Sequence, residues 1–192
     1  EQSKIISASQ KSEYGLVVPL SAFSGEMLDE LLKNKLYDFL PWETEYPVML
    51  EKWRSFTECS DVNTVYVFNC VFLQNPMCET MMRFGFPLTM SKEYISKIAD
   101  IIKPLNPVII YLKNDDIIGS VKKAACERDG WLDAVIDYHV NGVYGKSMNA
   151  HRFDGYTTCL EERPRRELQI LSQRDIDSSI INAAQKEWDR TQ

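Results

Sequence analysis

A chain of 192 residues, 44% hydrophobic and 26% charged, has globular proportions and enough length for a real core. Its net charge of −6, with no long basic run, argues against nonspecific binding to nucleic acid or to an anionic membrane surface. No apolar run is long enough to span a bilayer. Five cysteines, at positions 59, 70, 78, 126 and 159, are odd in number and lack CxxC spacing. They read as reduced and mostly packed thiols, and the expected compartment is cytoplasmic.

Residues 1–13 read as a polar tail or the end of an amphipathic helix. The run 15–20 (GLVVPL) is a short strand candidate that Pro19 confines to an edge or an end. A helix is predicted over 24–33, capped by Ser24, with Met27, Leu28, Leu31 and Leu32 at helical spacing. Leu40 precedes Pro41, so 37–43 (YDFLPWE) is an aromatic connector. A second helix spans about 46–59, with Met49, Trp53 and Phe56 on one face.

The run 64–69 (TVYVFN) is rich in β-branched and aromatic residues and predicts a strand buried on both faces. Asn75–Pro76 reads as the cap and first residue of a helix to Arg83, closed by Gly85 and Pro87. Another helix starts at Ser91, with Tyr94, Ile95, Ile98, Ile101 and Ile102 as its apolar stripe, and stops at Pro104. The run 107–112 (PVIIYL) is the second buried strand, expected parallel and adjacent or nearly so to 64–69. Helices are predicted up to Arg128, from Trp131 to Gly142, and over 156–171 despite Pro164, with a polar loop at Tyr144-Gly145-Lys146. A short strand at 179–182 and a helical turn or two at 185–190 end the chain. The alternation predicts one α/β domain over 1–192, a parallel sheet covered by helices, with a largely helical, lid-like subregion at 113–172.

Ligands of open α/β sheets bind past the carboxyl ends of strands, which makes Asn69, Gln74 and Asn75 binding candidates. The plainer alternative is that Asn69 and Asn75 are loop and cap residues. A second candidate is the basic set Lys122, Lys123, Arg128, Lys146, Arg163, Arg165 and Arg166, suited to phosphate oxygens. Its alternative is a solvated helix face, with Glu162 meeting Arg166 one turn on. His139 and His151 stand apart from each other and from the cysteines, so no metal site is read, and His139 lies on an apolar stripe. The sequence has no GxxxxGK[ST] and no other glycine-rich phosphate loop.

The stretches VYVFNCVFLQNP, KIADIIKPLNPVIIYL, KKAACERDGWLDAVIDYHVNGVYGK, GYTTCLEERPRRELQIL and SSIINAAQKEWD resemble bacterial P-loop kinase-like proteins. These are relatives of thymidylate-kinase-type nucleoside monophosphate kinases, and the resemblance covers the chain from about Leu16 onward. It implies a P-loop NTPase-like sheet and a phosphotransferase or nucleotide-binding function with ATP and Mg²⁺ as cofactors. The first strand and phosphate loop of that family are absent, so the chain is expected to be the carboxyl-terminal portion of a longer protein, the alternative being a degenerate homologue that lost the loop, and inactive by itself. Asn69 stands where relatives tend to carry an acidic residue, and an amide neither acts as a base nor gives Mg²⁺ a charged ligand. By the resemblance, Gln74 and Asn75 face the acceptor and Arg83 steadies its anion. Arg128, Lys146, Arg163 and Arg166 belong to the lid and phosphate contacts. The implied partner is a small phosphorylated ligand or nucleotide, with homo-oligomers allowed. The alternatives are a non-catalytic nucleotide- or anion-binding module and a protein-interaction domain using the aromatics near Trp42.

Overall fold

The computed structural model describes residues 2–37, 39–61, 63–173 and 176–183. Two compact units divide the chain, Glu1–Thr64 and Val65–Gln192, so the division falls inside the apolar run 64–69.

The first unit begins with α1 (Gln2–Ala8) and an antiparallel hairpin of β1 (Gln10–Ser12) and β2 (Gly15–Val17). Helix α2 (Glu26–Leu32) starts behind Gly25 rather than at the predicted Ser24 cap. Helix α3 (Trp42–Cys59) starts directly behind Pro41, earlier than the predicted Tyr46. Its buried residues are Glu45, Val48 and Leu50, whereas the predicted stripe of Met49, Trp53 and Phe56 is half-buried. The Glu51 carboxylate accepts from the Ser12 hydroxyl and, at 2.9 Å, from the Glu13 backbone N–H, which ties the hairpin turn to α3.

In the second unit the run 65–68 forms no strand, and Val65 and Val67 are 87% and 89% exposed. This corrects the predicted buried strand at 64–69. The unit's sheet holds two strands among the described residues, β3 (Val108–Lys113) and β4 (Asp177–Asn182), so no neighbouring ladder takes up the run's backbone groups. After it, α4 (Gln74–Met77) passes straight into a π-helical turn, Cys78–Arg83. The helix begins at Gln74 behind Leu73, so Asn75–Pro76 is not its cap; the Asn75 N–H donates to the Cys70 carbonyl at 3.0 Å. Helix α5 (Leu88–Ile102) follows Pro87 and buries Tyr94, Ile95, Ile98 and Ile102, much as its stripe predicts.

Strand β3 forms where the sequence places it, and β4 pairs with it in parallel, Val108 opposite Asp177 and Lys113 opposite Asn182. Between them run α6 (Ile117–Glu127), α7 (Trp131–Asn141), α8 (Val143–Ser147) and α9 (Arg152–Leu171). The Asp116 carboxylate caps α6 by accepting the Gly119 N–H at 2.9 Å. The loop predicted at Tyr144-Gly145-Lys146 is the short helix α8, and α9 runs on through Pro164 as expected. The core gathers Met77, Met81 and Met82 with Ile95, Ile170 and Leu171, and Ile109 and Tyr111 of β3 pack against it. The α/β class is therefore observed, on a small sheet. Its cover is one-sided: Val108, Ile110 and Leu112 are exposed, which corrects the expectation of a β3 buried on both faces. The helical turn predicted at 185–190 lies outside the described residues. No described helix is long and apolar enough to cross a membrane.

Candidate functional site

The π-helical turn of the second unit carries buried polar side chains that α7 and α9 reach. A π turn closes i to i+5 bonds and re-aims the side chains it carries; here the Phe84 N–H reaches the Glu79 carbonyl at 3.0 Å. Glu79, only 2% exposed, holds Arg83 through Oε2 at 2.7 Å. The Tyr138 hydroxyl of α7 donates to the Cys78 carbonyl at 3.2 Å and lies 3.5 Å from Glu79 Oε1. Gly142, at the end of α7, admits this approach: a Cβ there would meet the Met82 carbonyl oxygen at 2.4 Å.

Arg163 of α9 joins the same turn from a position 85 residues away, its Nη1 standing 3.7 Å from Cys78 Sγ. Glu167, one helical turn on and 3% exposed, accepts the Tyr111 hydroxyl of β3 at 2.7 Å and places Oε1 3.2 Å from Arg163 Nε. That last contact lacks hydrogen-bond alignment, so the pair is held by charge. Burial, and next the Glu167 carboxylate, push the Tyr111 phenol well above its ordinary value. Burial also pushes up the Cys78 thiol, with Arg163 opposing, so this sulfur is not an activated nucleophile. His139, 6% exposed, gives its Nδ1 to the Val135 carbonyl at 2.7 Å and lies edge-on to Tyr156 at 4.8 Å. Its burial, with Arg163 nearby, depresses its pKa to about 4, and Nε2 has no hydrogen-bond partner among the described residues.

Next to Arg163 on α9, Glu162 accepts from Arg165 Nε and Nη2, both at 2.6 Å, and from Arg166 Nε at 2.8 Å. Those bonds, Arg165's first, hold its carboxyl at about 2. The Glu162–Arg166 contact is the helical pair expected from spacing. Arg166 also reaches the Phe86 carbonyl at 3.4 Å and sits over the Tyr144 ring at 5.2 Å.

Arg83 and Arg163 thus contact adjacent residues of the π turn, Glu79 and Cys78, and Arg166 reaches the Phe86 carbonyl just after it. Arg128 ends α6, exposed, 5.8 Å over the Trp131 ring, and Lys146 is exposed on α8. Asn69 is exposed ahead of α4, and Gln74 and Asn75, exposed and half-buried, are the first two residues of that helix. The Asn69 amide oxygen accepts the Cys70 S–H at 3.1 Å. A neutral oxygen so engaged does not fit a Mg²⁺ site, and the sequence has no backbone cradle for a triphosphate, so no chemical step is routed through Mg²⁺ or ATP. Among the described residues no three His, Cys, Asp or Glu side chains form a metal-ligand group. The five thiols are free, with Cys59 and Cys126 exposed rather than packed.

The sequence reading missed Glu79, Tyr111, Tyr138, Phe84, Phe86 and Tyr144. Spacing offered a signal for some of them: Glu79–Arg83 and Arg163–Glu167 are both i, i+4 pairs. No comparable local signal announces that these pairs share one turn. Compared with protein families, with curated proteins and with solved structures, the chain matches none of them.

Proposed function

We propose that this chain is a P-loop-kinase-like α/β domain that binds a nucleotide or other small phosphorylated ligand and does not transfer phosphate by itself. The observation that carries the reading is that Arg163, 85 residues away in sequence, reaches Cys78 of the π turn whose Glu79 holds Arg83, while Arg166 reaches the Phe86 carbonyl just after that turn. The parallel β3–β4 pair with helices between its strands supports it, as do the five stretches of kinase-like wording. Guanidinium groups suit forked contacts with phosphate oxygens. In-line phosphoryl transfer needs charge neutralisation around the transferred group, and the sequence holds no phosphate loop to supply it. The arginines are all engaged by carboxylates, so a ligand phosphate binds by exchanging with Glu79, Glu162 or Glu167.

The experiment is calorimetric titration with pyrophosphate at two ionic strengths, on the parent, Arg83→Gln, Arg166→Gln and a Lys97→Ala control. The parent and the control bind alike and more weakly as salt rises, and both arginine variants lose at least about fivefold in affinity. No binding, or equal affinity in all four proteins, returns these arginines to ion pairs on a helix face. Purified chain with ATP and Mg²⁺ is expected to turn over no faster than a blank.

A further inference from the structure

We infer that the exposed run Val65–Phe68 of one molecule adds as a strand to the open edge of β3 in a second copy of this chain, and that the exchange is reciprocal. Two features of the second unit lead there, and each lacks what the other offers. The run has the side chains of a strand and no ladder, and all four of its residues are exposed. It is uncharged and free of proline, a composition that pairs readily with an available edge.

Strand β3 supplies the edge. β4 pairs with one side of it, and among the described residues no strand lies along the other. Such an edge is a template for another chain unless charge, proline or a bulge protects it. Val108–Leu112 contains no charged residue and no proline, and its register with β4 runs unbroken from Val108 to Lys113. Ile109 and Tyr111 pack against the core, while Val108, Ile110 and Leu112, on the other face, are 65%, 63% and 54% exposed. On that outer face β4 sets Ser179 beside Ile110 and Ile181 beside Leu112, with the charge of Asp177 at the far end opposite Val108. Alternation along an added strand puts Val65 and Val67 on one face and Tyr66 and Phe68 on the other. The valines then continue the apolar face of β3, and the rings fall on the side of Ile109 and Tyr111.

Charge and contact area favour a second copy as the occupant. In its own molecule the run stands in solvent rather than on β3. Residues 184–192 (AQKEWDRTQ) carry four charges and suit an uncharged edge poorly. A foreign peptide would make a single contact. With roughly 80 Å² of apolar surface on each of the seven exposed side chains of the run and β3, one contact removes on the order of 550 Å² from water, the size of a chance encounter. Two reciprocal contacts reach on the order of 1,100 Å², enough for a specific but weak pair, and a two-fold pair closes on itself. The net charge of −6 opposes self-association, but neither paired segment is charged.

The test is sedimentation velocity on the parent, Val67→Lys, Ile110→Glu and an equimolar mixture of these two variants. The parent is a monomer at about 2 µM and mostly a dimer at about 200 µM, as an interface of this size implies. Both substituted residues are exposed, and circular dichroism at the lower concentration confirms that each variant folds. Each variant alone associates at least about tenfold more weakly than the parent. The mixture dimerises again, because the mixed pair holds one parent contact and one that sets the new lysine against the new glutamate. A dimer that survives either substitution overturns the exchange, and so does a mixture that stays monomeric. A parent that is monomeric throughout also overturns it; if that monomer binds a synthetic TVYVFN peptide, the edge serves a foreign strand instead.

Discussion

The runs 64–69 and 108–113 are built from similar residues and end in different states. Each combines β-branched and aromatic side chains over six positions. Val108–Lys113 is a strand because β4 completes its ladder on one edge and the core covers one of its faces. Tyr111 adds a hydrogen bond from the strand to Glu167 of α9. The run 65–68 forms no strand and turns valines 65 and 67 to solvent. β-Propensity is a fit to a pleated, half-buried surface, so similar chemistry without a neighbouring strand and cover gives no sheet. The same lesson holds within β3, where Ile109 lies against the core and Ile110 does not.

Substitutions that strip the cover from β3 sharpen this contrast most. Glu167→Ala leaves Arg163 without its carboxylate in a largely buried setting and removes the acceptor of Tyr111. It is expected to cost on the order of 3 kcal/mol in denaturant unfolding. A loss below about 0.5 kcal/mol would mean that the α9 cover contributes little.

Acid tests the same cover through His139, packed between α7 and α9. Its pKa is about 4 in the fold against 6.5 ordinarily, burial being the main cause. The unfolded chain therefore takes up this proton first as pH falls. Stability is full above pH 6.5 and is lost down to about pH 4, by on the order of 3 kcal/mol at about 1.4 kcal/mol per pKa unit. His139→Phe should flatten that part of the profile, and an unchanged profile would place the acid sensitivity elsewhere.

Smaller effects separate the two faces of β3 and then the two runs. Ile109→Ala is expected to cost about 2 kcal/mol, since a half-buried isoleucine loses core contact. Tyr111→Phe is expected to cost about 1.5 kcal/mol, the value of a hydrogen bond to a charged group. Ile110→Ser and Val67→Ser should each stay within about 0.5 kcal/mol. A large loss at Val67 would show that 64–69 has the cover and pairing that its residues suit.

Periodicity made most helices legible, because helical hydrogen bonds are local and one apolar stripe fixes the buried face. The stripe of α5 and the pattern of α7 are examples. β3 was legible for the same reason as the mistaken strand at 64–69, since pairing is decided by residues far away in sequence. The π turn at Cys78–Arg83 gave no advance notice; it carries the buried Glu79 and Arg83, which lies over Phe84. Of the candidate site, the arginines and the Glu162–Arg166 pair could be read from spacing. Their aromatic neighbours could not, because Tyr144 and Phe86 come to Arg166 only through tertiary packing.

The central claim is that Arg83, Arg163 and Arg166 serve one anion. Its most direct test follows arginine Nε–Hε resonances of ¹⁵N-labelled protein during titration with pyrophosphate. The account predicts that the signals of these three residues move together and saturably, less so at high salt, while Arg54 in α3 stays in place. Shifts at Arg54 equal to those at the three, or no shift at any of them, would contradict it.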